Sequence, residues 1–310
     1  MDGILNIYKE KGYTSHDVVA KLRGILKTKK IGHTGTLDPD AQGVLPVCVG
    51  RATKLCDMLT DKDKAYETVM LLGKTTDTQD ITGSVLSESE LGEDITAEKV
   101  TEVINSFVGE YMQVPPMYSA LKVNGKKLYE LARSGIEVER KARKVYIHSI
   151  EIKDISLPRV TMTVNCSKGT YIRTLCHDIG ETLGAGGCME ELLRIKSGQF
   201  EINDSIKIDD VKKYVDDGRI SDIMKPIDGV FEKYQKCIVK KEYNVLIYNG
   251  NKFSPQNVLN RTDAKDGKEV RVYDEDNFFI GIYRYNGNEK KYVPVKMFLT
   301  GGSNETGKRN

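Results

Sequence analysis

The sequence predicts an α+β protein, a large mixed β-sheet unit with flanking helices followed by a small C-terminal all-β module. Three observations carry that expectation. The chain has 310 residues, more than one average domain. Strand-like and helix-like apolar patterns intermix without a regular strand–helix repeat, so a doubly wound fold is excluded. Past Tyr234 the pattern changes to short strands separated by turn residues. The expected boundaries are therefore 1–235 for the main unit, 236–300 for the module and 301–310 for a disordered tail.

The first element is a strand over Ile4-Leu5-Asn6-Ile7-Tyr8. Thr14-Ser15 then supplies a helix cap, and Val18, Val19, Leu22, Ile25 and Leu26 recur at helical spacing to about Thr28. Residues 31–43 hold glycines 32, 35 and 43 and Pro39, so they cannot continue a helix and read as a shaped loop. A buried strand from Val44 to Val49 follows. Further strands are expected at 66–73, 145–152 and 160–166, and helices near 96–108, 126–134 and 171–183. Residues 201–235 are acidic and strand-poor. In the module, 245–248, 270–273 and 278–285 read as strands.

Composition narrows the function classes. Apolar content of 39% and charged content of 30% are ordinary for a soluble globular chain. The longest uncharged apolar run, Val44 to Val49, is far short of the roughly 20 residues that cross a bilayer. No basic segment followed by an apolar stretch opens the chain, so the expectation is a cytoplasmic protein without a membrane partner. The cysteines (48, 56, 166, 176, 188, 237) include no Cys-x-x-Cys pair and the histidines are only 16, 33, 148 and 177. Neither metal nor disulfide is expected. Net charge is +2, yet cations are segregated: Lys21 to Lys30 carries five and no acid, Lys122 to Lys144 carries eight against three, and Glu88 to Glu110 carries seven acids against Lys99. Such polarisation suits attraction of a phosphate backbone to one face.

Two segments can carry chemistry, and one tempting segment cannot. Gly73-Lys74-Thr75 resembles the end of a phosphate-binding loop, but Thr68 stands where the earlier glycine is needed. In 31–43, Asp38 precedes Pro39, which fixes the backbone and the aim of its carboxylate, while the glycines permit close approach by a ligand backbone. A stiffly held carboxylate in a partly desolvated cleft can act as nucleophile or base. The second segment, Cys166-Ser-Lys-Gly-Thr-Tyr-Ile-Arg173, passes from a strand through a glycine turn into a helix, where polar groups converge. Arg173 falls outside the Ile172, Leu175, Ile179, Leu183 stripe; it reads either as a surface arginine or as the cation that keeps Asp38 ionised.

Six motifs in order carry a family resemblance: Gly32-His-Thr-Gly-Thr-Leu-Asp38-Pro, Lys64-Ala-Tyr66, Thr76-Asp77-Thr-Gln-Asp80, Pro116-Met-Tyr-Ser-Ala-Leu-Lys122, Gly125-Lys-Lys-Leu-Tyr129 and Cys166 to Arg173. The chain resembles the bacterial TruB-type tRNA pseudouridine-55 synthases over residues 3–235, and less strongly their PUA-like RNA-binding module from about 236 to 299. The resemblance implies Asp38 as the catalytic aspartate, Tyr66 as the ring that stacks on the target base and assists deprotonation at C5, and Arg173 as the ion-pair partner of Asp38. It implies His33 in the space left by a flipped nucleotide, Tyr171 and Leu192 in the pocket lining, and Lys9 beside the site. Asp80 belongs to the third motif and is expected, with Lys122, Lys126 and Lys127, to bind substrate. Where the family often has two arginines after the pocket leucine, this chain has Leu193 and Arg194, which leaves a phosphate or structural contact open.

The implied partner is tRNA, through T-loop and T-stem, and the implied state is a monomer with no obligatory protein partner. Isomerising uridine gains and loses no atom, so no cofactor is implied. The aspartate can add to C1′, add to C6 or take the 2′ proton; the sequence does not choose. Two other readings stand beside this one. A non-catalytic tRNA-binding or tRNA-folding protein would use the same cleft. A base-exchanging transglycosylase would need an extra base pocket and usually zinc.

Overall fold

The computed structural model describes residues 1–123, 125–260 and 262–299, so the expected tail at 301–310 lies outside the described residues. The main unit is a mixed sheet with helices packed on it. Its strands are β1 (Gly3–Lys9), β2 (Ile31–His33), β3 (Gln42–Val49), β4 (Lys64–Leu72), the small pair β5 (Lys74–Thr76) and β6 (Val85–Glu88), and β7 (Gly109–Gln113). A short hairpin, β8 (Lys122–Val123) and β9 (Lys126–Lys127), precedes β10 (Arg143–Ser156), β11 (Arg159–Cys166), β12 (Gly187–Ser197), β13 (Phe200–Glu201) and β14 (Met224–Lys225). The helices are α1 (Ser15–Leu26), α2 (Cys56–Thr60), α3 (Ala97–Ser106), α4 (Leu128–Arg133), α5 (Ile172–Leu183) and α6 (Ile208–Asp216).

The sheet runs in the order β14-β1-β3-β12-β4-β11-β10-β7, with β13 on β12 and β2 on β3. It is two antiparallel wings joined at one place. β12 pairs with β4 along its length, but with β3 only in parallel through Leu193↔Gln42 and Arg194↔Gly43. Each wing has its own apolar core. α3 and α5 cover one around Met70, Ile147, Met162, Leu175 and Ile179; α1 and α6 cover the other around Leu5, Leu22, Leu45, Val47 and Val211. The short seam between the cores is where side chains of both wings can meet.

Local chemistry explains the elements that place the site. Thr14 caps α1 in a reciprocal box with Asp17, and Lys27 ends it in left-handed backbone. β3 is buried along almost its whole length, as its unbroken apolar run requires. Three expectations need correction. Residues 31–33 form a strand because their backbone completes the exposed edge of β3. β12, the strand that joins the wings, was not foreseen, because Glu190, Glu191, Arg194 and Lys196 mask its apolar content. Residues 245–248 are helical rather than extended.

That helix, α7 (Asn244–Tyr248), lies beside the sheet of the C-terminal module, β15 (Gln235–Ile238), β16 (Glu269–Tyr273), β17 (Phe279–Asn286) and β18 (Lys291–Met297), paired in that order. Ile247 alone of the helix is buried, against Val270, Val272 and Tyr283. One buried residue per turn, not alternation, is what the packing uses there. The module is not detached: Ile282 and Phe298 share a core with Ile4, Val44, Cys48 and Leu55 of the main unit. Among the described residues, no helix is long and apolar enough to cross a membrane.

Candidate active site

Asp38 lies at the seam and is bracketed on both sides by backbone contacts. The N–H of Leu37 donates to Ser15 Oγ at 2.9 Å. The carbonyl of Pro39 accepts from the Gly12 N–H and from Lys9 Nζ, each at 3.0 Å. The strand wing thus supplies a carboxylate whose loop cannot drift.

Arg173, from the other wing, meets it from the first turn of α5. Its Nε lies 2.9 Å from Asp38 Oδ2 and its Nη2 lies 3.3 Å from Oδ1, a side-on fork. The remaining donors go to the Tyr118 carbonyl at 2.9 Å, the Thr78 carbonyl at 2.9 Å and Asp80 Oδ2 at 3.6 Å. Each nitrogen of the guanidinium is therefore engaged, and 5% of the side chain remains exposed. The surface reading of Arg173 is excluded: the residue leaves the apolar stripe of α5 to fill the seam, not to reach solvent. Asp38 keeps 44% of its side chain open, so the pair is closed behind and open in front.

Burial pushes the Asp38 pKa above its ordinary value; Arg173 and Lys9 pull it back, and Asp80 pushes it up. A rate that needs the carboxylate must then fall as pH drops through that raised value. We expect the acid limb of kcat/KM to lie above 3.8, the ordinary aspartate pKa. A profile flat down to pH 3.8 would contradict it.

The other sequence-derived residues divide sharply. Tyr66, on β4, is buried in the same apolar cluster as Leu37 and Ile172. Burial raises its phenol pKa, while Arg194 opposes the rise. His33 stands edge-on to His16 at 5.4 Å, and burial, with the charges of His16 and Arg194, lowers its pKa to about 4. It is a neutral ring near pH 7. Tyr171 and Leu192 are half-buried at the same seam. Lys122 and Lys126 are exposed on the β8–β9 hairpin, and Lys127 Nζ holds the Tyr129 hydroxyl at 3.1 Å. The exposed lysines make the hairpin a cationic surface.

Two residues expected to bind substrate are engaged within the protein. Lys9 is fully buried, and its ammonium is consumed by the carbonyls of Glu10, Tyr13 and Pro39 at 3.2, 2.6 and 3.0 Å. Burial lowers its pKa to about 8, with Asp38 and Asp40 opposing. It builds the Asp38 loop and has no donor left for RNA. Asp80 faces Arg173, and its Oδ1 accepts from Thr78 and Thr82. It supports the guanidinium from behind. The loop glycines also serve a different end. Gly43 has φ +105°, and a Cβ there would sit 2.2 Å from the Arg194 carbonyl oxygen, so the close backbone is the protein's own β12.

Sequence reasoning missed Gln113 and left Arg194 open. The Gln113 side chain accepts from the Tyr171 N–H at 2.8 Å and donates to its carbonyl at 2.9 Å, fixing the start of α5 and hence Arg173. A lone glutamine on an edge strand carries no sequence signal. Arg194 is 1% exposed and so cannot be a phosphate contact.

An aspartate–arginine pair at the seam of this mixed sheet, beside a buried tyrosine and with a β module appended, defines a class. Solved structures with this architecture include an H/ACA RNP bound to a substrate RNA containing 2′-deoxyuridine, with TM-score 0.70, 26% identity, and 96% of this chain and 85% of that one covered. A Cbf5-Nop10-Gar1 complex matches with TM-score 0.70 and 28% identity, over 96% of this chain and 85% of that one. The class is that of the pseudouridylate synthases. Residues 23–172 match the TruB family pseudouridylate synthase N-terminal domain, and residues 173–232 match the tRNA pseudouridylate synthase B C-terminal domain. A relative from Lachnoclostridium phytofermentans, tRNA pseudouridine synthase B, is 51% identical over 309 residues, covering 96% of this chain and 100% of its own. One of the same name from Clostridium kluyveri is 52% identical over 299 residues, covering 96% and 100%. The chain belongs to the TruB family.

Proposed function

We propose that this protein isomerises uridine to pseudouridine at position 55, in the T-loop of tRNA, with Asp38 as the catalytic carboxylate. The observation that carries this reading is the Asp38–Arg173 fork, closed behind and open in front, with Tyr66 in the apolar cluster that also holds Leu37. Relatives that share about half of their residues along nearly the whole chain bear the name tRNA pseudouridine synthase B.

In the reaction the N1–C1′ bond breaks, the base turns, C5 joins C1′, the C5 proton leaves and N1 gains one. No atom is gained or lost. The base must first leave its stack at a cost of a few kcal/mol, and stacking on an aromatic ring returns about 1–3 kcal/mol. Tyr66 supplies that ring and takes the C5 proton. Neutral His33 fills the place of the extruded base, and Tyr171 and Leu192 line the pocket. Arg173 keeps Asp38 an anion through a site that otherwise favours its acid form. Lys122, Lys126 and Lys127 neutralise backbone phosphates of the T-stem.

We assign residues 1–235 to catalysis and 236–300 to a PUA-like RNA contact, in a cytoplasmic monomer with no obligatory protein partner. All groups used above come from one chain. The test is tritium release from T-arm RNA labelled at C5 of uridine, with the RNA mass measured in parallel. Release with unchanged mass supports isomerisation; a changed mass means base exchange, and no release means binding alone. In the same assay, Tyr66→Phe keeps the stacking ring but loses the hydroxyl, so RNA affinity should hold while turnover falls about 10²- to 10⁴-fold, the range of a general acid–base group. Wild-type turnover would confine Tyr66 to packing.

A further inference from the structure

Among the described residues, Arg194 is the largest fully buried side chain. A guanidinium stays charged at any working pH, and one buried without a counter-ion is costly. No carboxylate lies within 4.0 Å of it among the described residues. Its donors go instead to carbonyls: Nε to Val44 at 2.7 Å, Nη1 to Thr36 at 3.3 Å and Nη2 to Gly35 at 3.4 Å. Gly35 and Thr36 open the loop that presents Asp38. The same loop closes at Gly43, whose backbone pairs with that of Arg194 across the seam. One residue therefore grips both ends of the Asp38 loop, with its side chain at one end and its main chain at the other.

On its other edge Arg194 is the direct Cα partner of Tyr66 in the antiparallel β12–β4 ladder. Residues so opposed project on the same face of a sheet, with Cβ atoms about 5 Å apart. Among neighbouring groups, the Arg194 charge is the largest influence favouring an ionised Tyr66. The seam has only two register pairs, and Arg194 is one half of the second.

We propose that Arg194 is a positioning residue for the isomerisation: it locks the Asp38 loop to the strand of Tyr66 and sets a fixed positive charge beside the phenol oxygen. This rests on the isomerase reading above. For the Tyr66 oxygen to take the C5 proton, the phenol must first give its own proton to water; the C5–H pair then returns to the ring, the phenolate becomes a phenol again, and Arg194 keeps its own proton throughout. The residue is too deeply buried to touch RNA; it acts through Asp38 and Tyr66.

The experiment compares full-length wild type, Arg194→Lys and Arg194→Met for kcat, KM and rate against pH on T-arm RNA, with RNA affinity and thermal melting measured alongside. Arg194→Lys retains the charge but not the fork. It should stay folded and keep RNA affinity, and lose about 10²-fold in kcat, the scale on which an ångström of misplacement acts. Its pH profile should keep the wild-type shape. Arg194→Met should lose more in kcat, and the rising side of its profile should move to higher pH. The proposal is overturned by a folded Arg194→Lys with wild-type kcat, by losses confined to KM or RNA affinity, by matching pH profiles for wild type and Arg194→Met, or by failure of both variants to fold. Failure of the isomerase reading shows separately, as an inactive wild type.

Discussion

Asp38→Asn is expected to abolish pseudouridine formation, a loss of at least about four orders of magnitude on the scale of removing a catalytic triad member. The amide is nearly isosteric and can still accept from Arg173, so the loop, bracketed through Leu37 and Pro39, has no reason to move. What disappears is the negative charge and with it the nucleophile or base. Affinity for tRNA should change by less than about threefold, because phosphate contacts, not this side chain, dominate RNA binding. The pairing of intact binding with absent turnover is measured by filter binding and tritium release on one preparation. Substantial turnover would remove Asp38 from the role and, with it, the reading of the site.

Arg173→Met is the second large effect, and it acts on stability as well as rate. The substitution leaves Asp38 and Asp80 without their shared cation and takes the donors from the Tyr118 and Thr78 carbonyls. Breaking a buried pair by removing one partner costs about 3–5 kcal/mol. The low end, about 3 kcal/mol, is expected here because Asp38 keeps 44% of its side chain open. Activity should vanish as well, since the uncompensated carboxyl holds its proton more tightly. Adding Asp38→Asn should return part of the lost stability, because one of the two stranded charges is then gone. Thermal melts of the single and double variants measure this. Additive losses would show that the two residues do not interact.

How much of the site was legible follows from how each residue is held. Asp38 stood out because Pro39 and three glycines mark a shaped loop, and Arg173 because a glycine turn begins its helix; both signals are local. Which way Arg173 points was not local. Its place outside the stripe left solvent and the Asp38 carboxylate equally open, whereas the Thr78 and Tyr118 carbonyls and Asp80, all distant in sequence, draw it inward. Lys9, expected beside the site, is spent on holding the Asp38 loop, and Asp80, from the third motif, faces Arg173. A motif reports that a residue type is needed; it does not report whether the need is chemistry or support.

From the sequence alone came the α+β class, the strand–helix order around the loop at 31–43, the family resemblance and the pair of residues on which the chemistry depends, because period, turn residues and helix caps are short-range properties. The tertiary structure decided that the sheet is two wings joined by a two-pair seam, that Arg194 and Gln113 hold its sides, and that the acid at its centre is pushed toward protonation while one guanidinium resists. Those outcomes depend on strands far apart in the chain coming into register, and on burial, which turns an ordinary charge into a costly one wherever water is excluded.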